Sequence, residues 1–285
     1  MTIAADVKLR DENFAFNEGL RLPRIALTTS IDYAKGARHT LDVCRPKSAT
    51  AAPVIVFFYG GGWRSGSKRI YRYVAKALAR RGYVAVLPDY RIYPQARYPD
   101  FLDDGAQAVR WVKDNAERFG GDPQKIFLMG HSAGAHIAAM LALDARWLQK
   151  VALAPGRDIA GLIGISGPYD FLPLKDAIFK IIFDGDRPET QPISHVTPGA
   201  PPALLLTGGK DNVVGAGNST RLAERLRAAG NEAAAVIYPR TGHFIIVAAI
   251  APIIRSLVPI LRDTDAFIAK VLNARSRAQA GEAAP

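Results

Sequence analysis

The sequence predicts a doubly wound α/β fold, a mostly parallel sheet of about eight strands flanked by helices, with a small cap. Two observations carry this. Six short runs, PVIVFF, YVAVLP, KIFLMG, IAGLIGIS, PALLLTGG and AAAVIYP, are apolar at nearly every position, as strands covered on both faces must be. Each run ends in glycine or turn residues, and helical periods fill most of the intervals.

The elements follow in order along one domain, 1–285. Residues 1–24 show no strong period and read as an N-terminal arm. TTSIDYA and HTLDVCRP alternate apolar and polar residues around AKGAR, a hairpin pattern. Helices are expected at 71–82, 103–121, 133–145 and 217–230, several closed by glycine. The proline-rich stretch at about 170–200 holds one helical pattern, LKDAIFKIIF, and reads as the cap inserted over one end of the sheet. The apolar run Phe244–Ile254 is too short to span a bilayer and contains Pro252, so a buried helix or pocket wall is expected. Residues 273–285 are expected to fray.

Composition narrows the function classes. The single cysteine, Cys44, excludes an intramolecular disulfide and is expected as a buried thiol in a strand. No Cys/His cluster suggests a metal. The N-terminus lacks the apolar core of a secretory signal, so cytoplasmic residence is expected. The formal charge of +11 is scattered, without a basic helix or interleaved aromatics, and reads as a solvated basic surface rather than a nucleic-acid site.

The chemistry is expected at the carboxyl ends of the strands. Gly130-His131-Ser132-Ala133-Gly134 is a GxSxG turn between an apolar strand and an alanine-rich helix, the context that exposes a nucleophile. A serine needs a base and the base an orienting acid; His243 and Asp211 each follow a later strand, in the order Ser132, Asp211, His243. His131 and His136 are carried by the serine's own turn and helix and read as packed side chains, His195 as a loop cap, His39 as an exposed hairpin residue. Asp184 and Asp186 read as turn acids and stand as substitutes should Asp211 be misplaced. The bare loop YGGGW after PVIVFF supplies Gly61 and Gly62, whose amides, with that of Ala133, are expected to hold an oxyanion.

YGGGW, DYRIYPQARYPDFLDDGAQAVRWV, GHSAGAH, PISHVTPGAPPALLLTGGKD and TGHF together resemble the α/β-hydrolase superfamily, over roughly residues 25–270. The branch is that of carboxylesterases with an HGGG-type loop: hormone-sensitive-lipase-like, feruloyl-esterase-like and arylformamidase-like. GHSAGAH is nearer the latter two. Tyr59 departs from the histidine usual before the glycines, and either hydrogen-bonds through its hydroxyl or stacks over the acyl group. Tyr59, Trp63, His131 and Phe244 are the expected pocket residues, and Gln95 stands where many relatives carry glutamate.

The resemblance implies a cofactor-free serine hydrolase acting through an acyl-enzyme, and the compact cap with the apolar Phe244–Ile254 run points to short to medium acyl esters. The rival is an arylformamidase-like amide hydrolase acting on N-formylkynurenine; acyl transfer to an alcohol and a non-catalytic binding module are further readings. The expected partner is a small ester, with no nucleic acid and no stable membrane insertion, and a homodimer stays open.

Overall fold

The computed structural model describes residues 24–251 and 257–282; the expected arm at 1–24, except for Arg24, and part of the Phe244–Ile254 run lie outside the described residues. The strands are β1 (Ile25–Asp32), β2 (Thr40–Pro46), β3 (Ala52–Phe58), β4 (Val84–Pro88), β5 (Gly121–His131), β6 (Gly161–Ile165), β7 (Ala203–Gly208) and β8 (Ala233–Tyr238). They form one eight-stranded sheet in the order β1-β2-β4-β3-β5-β6-β7-β8. The β1–β2 hairpin enters antiparallel, and β4 through β8 run parallel.

The helices are α1 (Arg72–Arg80), α2 (Asp100–Asn115), α3 (Ala133–Leu143), α4 (Ala145–Gln149), α5 (Pro155–Asp158), α6 (Ala177–Phe183), α7 (Gly217–Ala228), α8 (His243–Ala248) and α9 (Ile260–Glu282). Every residue of β4, β6 and β7 is buried, as the doubly apolar runs require. AAAVIY is the exception: β8 is the sheet edge, and Ile237 is exposed there. Every residue of α3 is buried too, so its apolar character all round reflects a central position.

Three expectations change. His39 is buried, its Nε2 3.0 Å from Asp104, because the hairpin folds onto α2 rather than projecting into solvent. The C-terminal stretch continues as α9 through 273 to Glu282, and Arg275 donates to the carbonyls of Gln124 and Ile159, which ties the helix to the body. In α8, Ile246 and Val247 are buried, but Phe244 and Ile245 on its first turn face solvent. Cys44 is buried in β2.

The strand order reverses between β4-β3 and β5-β6, so the loops after β3 and β5 diverge and leave a crevice between them. That is where the glycine loop and Ser132 meet.

Candidate active site

Ser132 is the single residue between β5 and α3, held at φ 54°, ψ −124°. That backbone is strained for a side-chain-bearing residue and turns the hydroxyl out of the strand. The close packing is possible only because its neighbours are bare. A Cβ on Gly134 would lie 2.1 Å from the Phe58 carbonyl oxygen, and one on Gly130 would lie 2.2 Å from the Gly134 carbonyl oxygen.

The structure brings the three expected residues together. His243 Nε2 lies 2.9 Å from Ser132 Oγ, and its Nδ1 lies 2.8 Å from Asp211 Oδ2. The carboxylate accepts from Nδ1–H, which leaves Nε2 free to accept the serine proton. The amides of Val213 and Val214 donate to Asp211 Oδ1 at 3.0 Å each. Burial alone would raise the Asp211 pKa, but the His243 hydrogen bond and the Val214 amide outweigh it and hold the carboxyl well below its usual range.

His131 does not line an open pocket. It is buried behind His243, with ring centroids 4.9 Å apart. Its Nε2–H donates to the His243 carbonyl at 3.0 Å, and its Nδ1 faces the Tyr71 hydroxyl at 3.3 Å. Burial, then the proximity of His243, pushes its pKa down to about 3, so the ring stays neutral.

The glycine loop passes directly over the serine: a Cβ on Gly60 would lie 3.0 Å from Ser132 Cβ. Gly61 adopts φ +140°, and its carbonyl accepts from the amides of Arg64 and Ser65 and from Ser65 Oγ. A trans peptide points its N–H opposite its C=O, so the Gly62 N–H is turned away from residues 64–65. Similarly, the Ser132 carbonyl accepts from Ala135 and His136 inside α3, leaving the Ala133 N–H at the free end of the helix. Among the described residues no group accepts from the amides of Gly61, Gly62 or Ala133. Donors without partners beside a serine are suited to a transient negative charge.

Tyr59 is fully buried, stacked on Tyr90 at 4.6 Å and on Tyr71 at 5.9 Å, so it cannot lie over a substrate. Its hydroxyl accepts from Arg38 Nη2 at 2.6 Å; the same guanidinium donates to the carbonyls of Gly66 at 2.9 Å and Tyr90 at 2.8 Å. Of the two roles open to Tyr59, hydrogen bonding is the one the structure contains. Trp63 is buried among Phe183, Phe179 and Phe171 of the segment between β6 and β7, and edge-on to His136. His136 is buried and its Nε2–H donates to the Thr190 carbonyl at 2.8 Å. Phe244 stands edge-on to His243 at 5.1 Å and is 69% exposed. His195 caps its own loop through the Glu189 carbonyl, and Asp186 accepts from the Leu174 amide; neither reaches the serine. Asp184 ends α6 in a left-handed turn.

Gly60, Tyr71 and Arg38 are the parts of the site that the sequence reading passed over. The glycine triplet signalled the first; nothing local in GARH marks Arg38, whose partners lie 21 and 28 residues further on.

Residues 41–226 match the family model described as BD-FAE. The esterase LipC of Mycobacterium tuberculosis is 33% identical over 246 residues, covering 79% of this chain and 61% of that protein. The isoprenylcysteine alpha-carbonyl methylesterase ICME of Arabidopsis thaliana is 32% identical over 241 residues, 75% of this chain and 56% of that protein. The chain therefore spans less than two thirds of either relative. Among solved structures, the thermophilic esterase Est2 of Thermogutta terrifontis with butyrate bound superposes with a TM-score of 0.71 at 26% identity, over 88% of this chain and 95% of that one. A truncated carbohydrate esterase from gut microbiota, at 21% identity and a TM-score of 0.74 over 88% of this chain and 97% of that one, shares the fold.

Proposed function

The chain belongs to the BD-FAE family of α/β-hydrolases, and from that membership we propose that it is a serine carboxylic-ester hydrolase acting on short to medium acyl esters. The single observation that carries the reading is the chain of contacts from Asp211 through His243 to Ser132, at 2.8 and 2.9 Å.

In this reading Ser132 Oγ attacks the ester carbonyl carbon as its proton passes to His243 Nε2, and Asp211 holds the imidazolium that forms. The carbonyl oxygen takes the negative charge toward the amides of Gly61, Gly62 and Ala133. Collapse of the tetrahedral centre breaks the carbon–oxygen bond, and His243 gives its proton to the departing alcohol. Water then adds to the acyl-Ser132 bond through the same histidine and releases the acid, with no cofactor.

The wall beside the loop supports a short to medium acyl group. Phe179 stands at Gly62, 3.6 Å from where a Cβ would be, and Phe183 and Phe171 pack around Trp63, which favours a short chain. The Est2 neighbour, whose structures hold butyrate and propionate, supports the same size class. Cytoplasmic residence is part of the proposal; subcellular fractionation tests it.

Turnover of p-nitrophenyl esters of increasing chain length, beside N-formylkynurenine, tests the function. Expected is a kcat/KM maximum at short to medium acyl length that Ser132→Ala removes. A preference for the amide, or full turnover by Ser132→Ala, overturns the reading.

A further inference from the structure

The loops leaving the carboxyl ends of β3, β7 and β8 carry a surface that ester cleavage does not require. Ile70 is 63% exposed, Val213 59%, Phe244 69% and Ile245 50%. Scattered single apolar side chains on a surface need no explanation. These four all lie within two residues of Tyr71, Asp211 or His243, which form the site or its support. The loops are bonded together: the Tyr73 hydroxyl donates to the Val247 carbonyl at 3.3 Å, and the Lys210 amide to the Thr241 carbonyl at 3.0 Å. His131 spans the rest, between Tyr71 and His243.

The charge on these loops has one sign. Arg64, Arg69, Lys210 and Arg240 are exposed there, and among the described residues of 59–71, 209–216 and 239–251 the one acid, Asp211, is buried in the site. The exposed charge on these loops, set among the protruding apolar side chains, is therefore wholly cationic, a local share of the chain's scattered excess. Apolar tips surrounded by cations match a membrane interface with anionic headgroups. Ile70 and Val213 rise from two separate loops and Phe244 and Ile245 from the first turn of α8, a dispersed set that suits a fluid surface better than the moulded core of a protein interface.

We propose that this face docks peripherally on an anionic phospholipid surface, so that the site receives esters presented from the bilayer. Apolar tips enter the interface, and the cations meet the lipid phosphates. Docking itself follows from the surface alone; the substrate half of the proposal rests on the ester-hydrolase reading.

Co-sedimentation of the full chain with vesicles tests it. The chain pellets with vesicles of equal parts phosphatidylglycerol and phosphatidylcholine, and stays in the supernatant with phosphatidylcholine alone. Raising the salt concentration releases it. Arg69→Glu with Arg240→Glu lowers the bound fraction by more than about tenfold, as does Ile70→Ser with Ile245→Ser, while both pairs hydrolyse soluble p-nitrophenyl acetate like the parent. Equal binding to both vesicle types, binding to neither, or variants that bind like the parent overturn the proposal. Vesicle binding without turnover of any ester leaves docking standing and removes only the ester-hydrolase reading; turnover without vesicle binding does the reverse.

Discussion

Arg38 Nη2 lies 2.6 Å from the Tyr59 hydroxyl and 2.9 Å from the Gly66 carbonyl, so one guanidinium holds the glycine loop at both its ends. Arg38 itself sits at φ 67°, a strained conformation for a residue that carries a side chain. Arg38→Met keeps the aliphatic stem but strands the buried Tyr59 hydroxyl and the Gly66 carbonyl. Loss of such hydrogen bonds to a charged group costs about 1–3 kcal/mol of stability. The activity should fall mainly in kcat, about tenfold, because the amides of Gly61 and Gly62 would no longer be fixed where charge develops. Steady-state kinetics on p-nitrophenyl acetate check this; a change confined to KM would show that Arg38 acts on substrate binding instead.

Asp211→Asn isolates the role of the acid. The carboxylate accepts from His243 Nδ1–H at 2.8 Å and so selects the tautomer whose Nε2 can take the serine proton. Asparagine can instead donate its amide N–H to Nδ1, which places the proton on Nε2 and blocks that step. A fall of about ten-thousandfold in kcat is expected, with circular dichroism unchanged. A loss under tenfold would mean another group supports His243.

Where the sequence was informative, the signal was local. PVIVFF, KIFLMG and PALLLTGG are buried on both faces and became β3, β5 and β7, and Ser132, Asp211 and His243 each stand just past a strand end. The roles of His131 and Tyr59 depended on contacts distant in sequence. His131 packs on His243, 112 residues later, and Tyr59 takes its partner from the hairpin 21 residues earlier. Neither relation leaves a periodicity or a spacing to read. AAAVIY reads like the central strands, yet β8 is the edge, because alanine fits either a covered or an open face.

The two glycines at 62 and 134 should respond differently to alanine. A Cβ at Gly134 meets the Phe58 carbonyl at 2.1 Å and the Tyr59 carbonyl at 2.5 Å; both are backbone, so β3 and α3 must separate. At Gly62 the nearest atom is the Phe179 ring at 3.6 Å, and the cost is mainly its φ of +59°. Gly134→Ala should therefore prevent accumulation of folded protein. Gly62→Ala should fold with a loss of about 1–2 kcal/mol in urea melts. Equal losses would mean that close packing of strand and helix is not what keeps position 134 bare.

Two buried histidines set how the fold responds to acid. Burial, then repulsion from His243, lowers His131 to about 3; burial lowers His136 to about 4, against the hydrogen bond to Thr190 and with a further lowering by His195. The unfolded chain carries ordinary imidazoles, so between about pH 6.5 and those lower values it binds more protons than the folded one. Stability is then highest above pH 6.5 and falls as pH drops through the window, until the folded rings also protonate near 3 and 4. At pH 5 each histidine contributes a loss of about 2 kcal/mol relative to pH 7.5. His136→Gln can still donate to the Thr190 carbonyl but does not titrate. Urea unfolding at the two pH values should show the variant losing about 2 kcal/mol less than the parent on acidification. Identical losses in parent and variant would place the acid sensitivity elsewhere in the chain.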